Sequence, residues 1–134
     1  MVLANPKKKI LIVDPNPEDS ARLQETLSGE GFAVEVAVDS AQAMVTLEYF
    51  QPDLVLADVI LEERDAGFRL ARQVKEHHIL GRTPVFLLSS TREKTDTSFS
   101  FAEDGYWMKA DDYAEKPVEG EELLKRVYTL LAKS

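Results

Sequence analysis

Short, continuously apolar runs alternate along the chain with longer segments in which apolar residues recur every three or four positions. Residues 10–13, 54–57 and 85–88 contain only aliphatic residues, alanine and phenylalanine. Such runs are typical of strands that are buried on both faces of a parallel sheet. Residues 32–38 and 112–115 predict two further strands. The pattern therefore indicates five strands.

The segments between these runs carry helix signals. Asn16 is placed to cap a helix whose first residue is Pro17 and which ends at Gly29 or Gly31. Residues 89–111 follow no single period, and one helix is predicted within them. Three other helices are predicted. One begins at a cap formed by Asp39 or Ser40 and stops before Pro52, the next runs from Phe68 to about His77, and the last runs from Glu121 to Ala132.

Alternation of strands and helices in the order βαβαβαβαβα requires right-handed crossovers and a parallel sheet with helices on both faces. In open sheets of this kind the functional crevice lies beyond the carboxyl ends of the strands. The residues that follow the apolar runs are therefore the first candidates for a functional site.

Acidic, hydroxyl and basic side chains occupy those positions. Asp14 follows the first strand, Asp58 the third, Ser89 the fourth and Lys116 the fifth. Two carboxylates, a hydroxyl and an ammonium suit an anionic reactant held with a hard cation such as Mg²⁺, and they indicate phosphoryl transfer. Taken singly, each residue also fits a structural role, as a turn residue, a helix cap or part of a Lys-Pro turn.

Composition narrows the class of protein. The chain has 134 residues, enough for one domain with one core. Its net charge of -8 argues against direct binding to nucleic acid or to an anionic membrane surface. It has no cysteine, which excludes disulfides and thiolate metal sites. No apolar run is long enough to span a membrane, so we expect a cytoplasmic location.

Four segments of the chain resemble the receiver domain of bacterial two-component response regulators. They are KILIVD at residues 9–14, PDLVLAD at 52–58, PVFLLSS at 84–90 and ADDYAEKP at 110–117. The resemblance covers essentially the whole chain, so residues 1–134 are expected to form a single receiver domain, with a flexible tail at 1–8. It implies a flavodoxin-like three-layer sandwich, with a five-stranded parallel sheet of order 2-1-3-4-5 and five helices on two faces.

The resemblance also implies a role for each residue of the site. Asp58 corresponds to the phosphoacceptor, Asp14 to an acidic metal-site residue and Lys116 to the lysine that contacts the phosphoryl group. Ser89 corresponds to the switch hydroxyl and Tyr113 to the switch aromatic.

The resemblance further implies that Mg²⁺ is bound by Asp14, Asp58 and the backbone carbonyl of Ile60. The expected function is that of a signalling module rather than an enzyme. Its expected partners are a sensor histidine kinase or a phosphotransfer protein, together with an unidentified output protein. The Lys116–Pro117 peptide bond is a candidate for the cis form.

The chain departs from the family pattern after the first strand, where two adjacent acids are usual. Here the second position is Pro15. A pair of unit charges about 4 Å apart is worth about 4 kcal/mol at an effective dielectric constant near 20, so loss of one carboxylate predicts weak Mg²⁺ binding. Glu18 and Glu62 are candidates to replace it. Glu62 also stands where proline is common, in a loop one residue longer than usual before Gly67.

A second departure is the segment between Ser89 and Tyr113, which is longer than usual. Residues 99–109 of this segment carry two phenylalanines, Tyr106 and Trp107. They predict either a docking surface or an apolar cover for the edge of the sheet.

Two alternative functions stay open at this point. The first is a pseudo-receiver, which keeps the fold and binds a protein partner. Its magnesium and phosphorylation chemistry would be impaired because Pro15 replaces a metal-site acid. The second is a flavodoxin-like FMN protein, since a fold does not define a function. An FMN protein would need a phosphate loop rich in hydroxyl groups and glycine after the first strand, where this chain has Asp-Pro-Asn-Pro at residues 14–17.

Overall fold

The structure is a computed structural model, and it describes residues 7–90, 110–118 and 120–133. These residues form five strands and four helices. In chain order the elements are β1 Lys9–Val13, α1 Pro17–Gly29, β2 Ala33–Ala37, α2 Ser40–Phe50, β3 Leu54–Asp58, α3 Ala66–Glu76, β4 Val85–Ser90, β5 Asp112–Lys116 and α4 Gly120–Lys133.

The five strands form one parallel sheet in the order β2-β1-β3-β4-β5. The predicted strand order and flavodoxin-like layering are therefore confirmed. The fifth predicted helix falls within residues 89–111, most of which lie outside the described residues, so the four helices are those of the described part alone.

Side chains of β1 alternate between two cores, one on each face of the sheet. Ile10 and Ile12 face a cluster to which α1 and α4 contribute, whereas Leu11 and Val13 face a cluster formed with α2 and α3. All four are fully buried. This explains why the run is continuously apolar, because a strand covered on both faces has no solvent side.

Helix α1 begins as the sequence predicts. The Asn16 side-chain oxygen accepts hydrogen bonds from the backbone N–H groups of Glu18 and Asp19, at 2.9 and 3.1 Å. The helix ends at Gly29, and Gly31 has a φ of 99°, a conformation that favours glycine. The Asn16 cap therefore fixes the first turn of α1 just after the carboxyl end of β1.

Helix α3 begins at Ala66, two residues before the predicted start at Phe68. The reason is a close approach between backbones, in which the Gly67 N–H donates to the Val59 carbonyl at 2.7 Å. Gly67 is therefore in the first turn of the helix rather than in the loop.

Strand β4 extends two residues beyond its predicted end at Leu88. The added residues pair with the last two residues of β5, Ser89 with Glu115 and Ser90 with Lys116. The Lys116–Pro117 bond is cis, as predicted. In the part of the chain that the structure describes, no helix has the length and apolar character needed to cross a membrane.

Candidate functional site

Three of the predicted site residues converge at the carboxyl edge of the sheet. The Lys116 ammonium nitrogen lies 3.0 Å from Oδ2 of Asp14 and 2.8 Å from Oδ1 of Asp58. Asp14 follows β1, while Asp58 and Lys116 are the last residues of β3 and β5. Three of the four positions that the strand pattern singled out therefore form one cluster, and Ser89 is the fourth.

Asp14 is held by its own backbone as well as by Lys116. Its N–H donates to the Ala37 carbonyl at 2.9 Å, which continues the pairing of β1 with β2. Its Oδ1 accepts the Asn16 N–H at 2.8 Å, and its Oδ2 accepts from Lys116 at 3.0 Å. Only 1% of the residue is exposed. Both carboxylate oxygens of Asp14 therefore have partners.

Asp58 is buried and incompletely partnered. Lys116 Nζ lies 2.8 Å from Oδ1 and donates a hydrogen bond to Oδ2 at 3.0 Å. The Oδ1 contact lacks hydrogen-bond geometry, so this buried oxygen has a charge nearby but no hydrogen bond. Burial, followed by the neighbouring negative charge of Asp14, raises the pKa of Asp58 to about 8, although Lys116 opposes both effects.

Lys116 is held by three carboxylates, those of Asp14, Asp19 and Asp58, at 3.0, 2.9 and 3.0 Å. An ammonium group has three donors, so the three contacts use all of them. Burial lowers the pKa of Lys116, but the carboxylates outweigh burial and raise the pKa above its ordinary value. The ammonium is therefore charged throughout the physiological range.

Asp19 is the site residue that the sequence analysis missed. It lies in the first turn of α1, where its negative charge complements the positive end of the helix dipole. Its Oδ2 accepts from Lys116 at 2.9 Å and its Oδ1 accepts from Arg22 at 3.0 Å. These contacts, with the hydrogen bond from Lys116 foremost, lower the pKa of Asp19. Its place three residues after the cap Asn16 was the available signal.

The two acids suggested as replacements for the missing carboxylate have other positions. Glu62 reaches the amino end of α2, where its Oε1 accepts the Ser40 N–H at 3.0 Å, and this bond lowers the pKa of Glu62. Glu18 lies on the exposed side of α1 in a shallow groove that Arg22 and Glu25 also line. Among the described residues, the carboxylates that contact Lys116 do not include either of them.

The two predicted switch residues, Ser89 and Tyr113, lie on the face of the sheet that α2 and α3 cover. Tyr113 pairs with Leu87 on β4, and positions 87 and 89 of one strand share a face. Ser89 is 4% exposed, whereas Tyr113 is half-buried and packs against the core below α2 and α3. Ser89 is also one position beyond Leu88, the register partner of Asp58. Strand register therefore places the Ser89 backbone near Asp58.

The donor set agrees with a hard divalent cation. Carboxylate oxygens are the ligands that Mg²⁺ prefers, and the Asp58 Oδ1 is a buried oxygen without a hydrogen bond. Within residues 7–90, 110–118 and 120–133, no three histidine or acidic side chains are spaced to hold a metal by themselves. Asp14 and Asp58 would therefore hold Mg²⁺ with water and backbone oxygens, which is usual for this ion. Ile60, two residues beyond β3, packs against the core.

Comparisons with known proteins agree with this geometry. Residues 10–128 match a family model described as the response regulator receiver domain. The transcriptional regulatory protein CpxR of Klebsiella pneumoniae is 34% identical over 126 residues, which is 94% of this chain and 50% of the relative. The alkaline phosphatase synthesis transcriptional regulatory protein PhoP of Bacillus subtilis is 32% identical over 127 residues, 95% of this chain and 50% of the relative. The chain thus spans about half the length of these relatives.

Solved structures share the fold. The signal receiver domain of a signal transduction histidine kinase from Syntrophus aciditrophicus has a TM-score of 0.78 at 29% identity, over 94% of this chain and 91% of the other. The receiver domain of the sensor histidine kinase PA1611 from Pseudomonas aeruginosa was solved with a magnesium ion in its active site cleft. Its TM-score is 0.79 over 95% of this chain and 99% of that domain, but at 23% identity the likeness concerns the fold alone.

Proposed function

Because the chain belongs to the response regulator receiver domain family, we propose that it accepts a phosphoryl group on Asp58 from a sensor histidine kinase or a phosphotransfer protein. The observation that carries this proposal is the position of Asp58 at the carboxyl end of the central strand β3. There its carboxylate is buried, lies 2.8 Å from the Lys116 ammonium and retains one oxygen without a hydrogen bond.

The reaction assigns one role to each charged group. A carboxylate oxygen of Asp58 forms a bond to phosphorus while the bond between phosphorus and the phosphorylated histidine nitrogen of the donor protein breaks. The electron pair of the broken bond stays with that nitrogen. Asp58 attacks as the carboxylate. Burial and the charge of Asp14 raise its pKa to about 8, whereas the adjacent Lys116 favours the ionised form, so the reactive fraction should grow as the pH rises towards 8. The same ammonium can donate to the oxygens of the transferred group.

Magnesium fits the same assignment. Mg²⁺ held by Asp14, Asp58 and the backbone carbonyl of Ile60 would supply positive charge against the phosphoryl oxygens. With all three carboxylates ionised, Asp14, Asp19 and Asp58 outnumber the single ammonium by two charges, which one divalent cation would balance. We expect weak binding, since Pro15 replaces an acid and Lys116 already contacts both aspartates that would ligate the metal.

The proposed output is a protein-binding surface that changes with phosphorylation. A phosphoryl group on Asp58 offers acceptor oxygens that can draw in the Ser89 hydroxyl, and Tyr113 can then turn into the vacated space. The output partner is an unidentified protein, and the place of action is the cytoplasm. The aromatic docking surface predicted at residues 99–109 lies outside the described residues.

Treatment with acetyl phosphate, with and without Mg²⁺, tests the proposal by intact mass. The wild type should gain one phosphoryl group, faster with Mg²⁺, and Asp58→Asn should gain none. Asp14→Asn serves as the matched control, because it removes the neighbouring acid but leaves the acceptor, and it should still be modified slowly. A phosphoryl gain in Asp58→Asn, or a modified Asp14 in the wild type, would show that the site is assigned wrongly.

A second candidate is a pseudo-receiver that binds its partner without phosphorylation. It is favoured by Pro15 and by the occupancy of both Asp14 oxygens, one by the Asn16 N–H and one by Lys116. A wild-type protein that gains no phosphoryl group at saturating Mg²⁺ and phosphodonor would support this candidate over the first.

The FMN alternative lacks support at the loop where it would need a phosphate site. The N–H groups of Glu18 and Asp19 in the first turn of α1 already donate to the Asn16 side chain. A colourless purified protein would exclude bound flavin.

A further inference from the structure

We propose that Asp19 is a positioning residue, which holds the Lys116 ammonium beside Asp58 from the first turn of α1. The contact between Asp19 and Lys116, called the holding contact below, is given by the geometry alone. Its effect on phosphorylation rests on the function proposed above.

The contact of Asp19 with Lys116 is partly shielded from water. The Lys116 side chain is 15% exposed and the Asp19 side chain 29%, and the Nζ to Oδ2 distance is 2.9 Å. Arg22 binds the other oxygen of Asp19, but its side chain is 67% exposed, so this outer pair contributes little. The interaction that matters is therefore the one that points into the site.

The three partners of Lys116 differ in what phosphorylation would do to them. Asp58 would carry the phosphoryl group, and the donor that now points to its carboxylate would turn to a phosphoryl oxygen. Asp14 is a predicted magnesium ligand, so a cation would compete with Lys116 for its Oδ2. Asp19 has no part in either event, and it is the partner that can keep the ammonium in place throughout.

The position of Asp19 follows from how helix α1 begins. The Asn16 cap fixes the first turn of α1, and Asp19 is the residue whose N–H closes that cap at 3.1 Å. Its carboxylate is thereby directed from the helix towards Lys116 on β5, 97 residues away in the chain. Pro15 itself is exposed and offers no charge.

The test compares Asp19→Asn with Glu18→Gln. Both variants remove one negative charge from the first turn of α1, but only Asp19 contacts Lys116. Asp19→Asn should slow phosphorylation by acetyl phosphate at saturating Mg²⁺ about three- to tenfold, since it weakens one of three charge-assisted contacts on the ammonium. Glu18→Gln should react at the wild-type rate.

A second measurement reports the holding of Lys116 without phosphorylation. In protein labelled with ¹⁵N-lysine, an ammonium held by carboxylates exchanges slowly with water and gives a proton-detected signal, which Lys116→Gln would identify by its loss. The signal should be present in the wild type and in Glu18→Gln, and it should broaden or vanish in Asp19→Asn. Unchanged backbone amide spectra would show that the fold is intact.

The outcomes separate this proposal from the previous one. If the wild type is not phosphorylated but Asp19→Asn loses the Lys116 signal, the phosphoacceptor proposal fails and the holding contact stands. If the wild type is phosphorylated and Asp19→Asn matches it in rate, the positioning role is overturned, whatever the ammonium signal does. Equal losses in Asp19→Asn and Glu18→Gln would also overturn it, because the effect would then be one of helix charge.

Discussion

Gly67 in the first turn of α3 lies directly against the backbone of Asp58. A Cβ atom at Gly67 would be 2.1 Å from the Asp58 carbonyl oxygen and 2.6 Å from the Cα of Val59. Both atoms belong to the backbone and cannot move away as the end of a flexible side chain could. The absence of a side chain at Gly67 therefore allows α3 to pack against the strand end that carries the proposed phosphoacceptor.

We expect Gly67→Ala to lower the free energy of unfolding by about 1–3 kcal/mol or more, through forced displacement of the loop after β3. Urea unfolding measures this. Gly29→Ala is the matched control, since nothing lies within 4 Å of a Cβ at the end of α1, and it should change stability by less than about 1 kcal/mol. Equal stability of Gly67→Ala and the wild type would contradict the packing described.

The pKa of Asp58 predicts a pH-dependent effect on stability. The pKa is about 8 in the folded protein, above the ordinary value near 3.8, so the folded state binds this proton more tightly than the unfolded state. The resulting stabilisation is complete below about pH 4 and is lost as the pH rises through about 8. Asp58→Asn stays uncharged and avoids this loss.

The stability of Asp58→Asn relative to the wild type should therefore grow between pH 5 and pH 8, by up to about 4 kcal/mol for a group shifted this far. Urea unfolding of both proteins at the two pH values measures the difference. A difference that stays constant with pH, or falls, would show that the Asp58 carboxyl titrates near its ordinary value.

Restoring an acid after Asp14 should strengthen magnesium binding. Pro15→Asp adds a hard oxygen ligand where the family usually has one, and we expect at least a tenfold lower Kd for Mg²⁺ by calorimetry. Glu62→Gln is the control, because Glu62 binds the amino end of α2 and should leave the Kd unchanged. Unaltered affinity in Pro15→Asp would mean that another group already fills the position.

Removing the proposed switch residues should uncouple phosphorylation from its response. Ser89→Ala and Tyr113→Ala should still be phosphorylated, but amide exchange in β4 and β5 should no longer change after acetyl phosphate treatment. Coupling of this kind is about 1–3 kcal/mol, or about five- to 150-fold in partner affinity.

Ser20→Ala is the matched control for these variants. It removes another buried hydroxyl, which donates to the Pro17 carbonyl in α1 at 3.2 Å, and it should respond like the wild type. In the wild type, exchange changes confined to α1 and α2 would contradict the proposed route through β4 and β5.

The pattern of apolar residues by itself determined the five strands, whereas their order was predicted from the resemblance to the receiver domain family. Residues 10–13, 54–57 and 85–88 are apolar because their strands are covered on both faces, and such local patterns survive in any packing of the chain. Carboxyl ends of parallel strands meet at one edge, so Asp14, Asp58 and Lys116 could be grouped without coordinates, and they are in contact.

The tertiary structure alone decided the contacts that depend on how the helices and loops pack against the sheet. Asp19 reaches Lys116 across 97 residues, and Glu62 binds the backbone of Ser40 instead of entering the site. Gly67 lies in the first turn of α3 because its backbone packs directly against the backbone of Asp58 and Val59, at the end of β3. No local pattern encodes these choices, because the direction of a side chain relative to another element is set by the rigid packing of both.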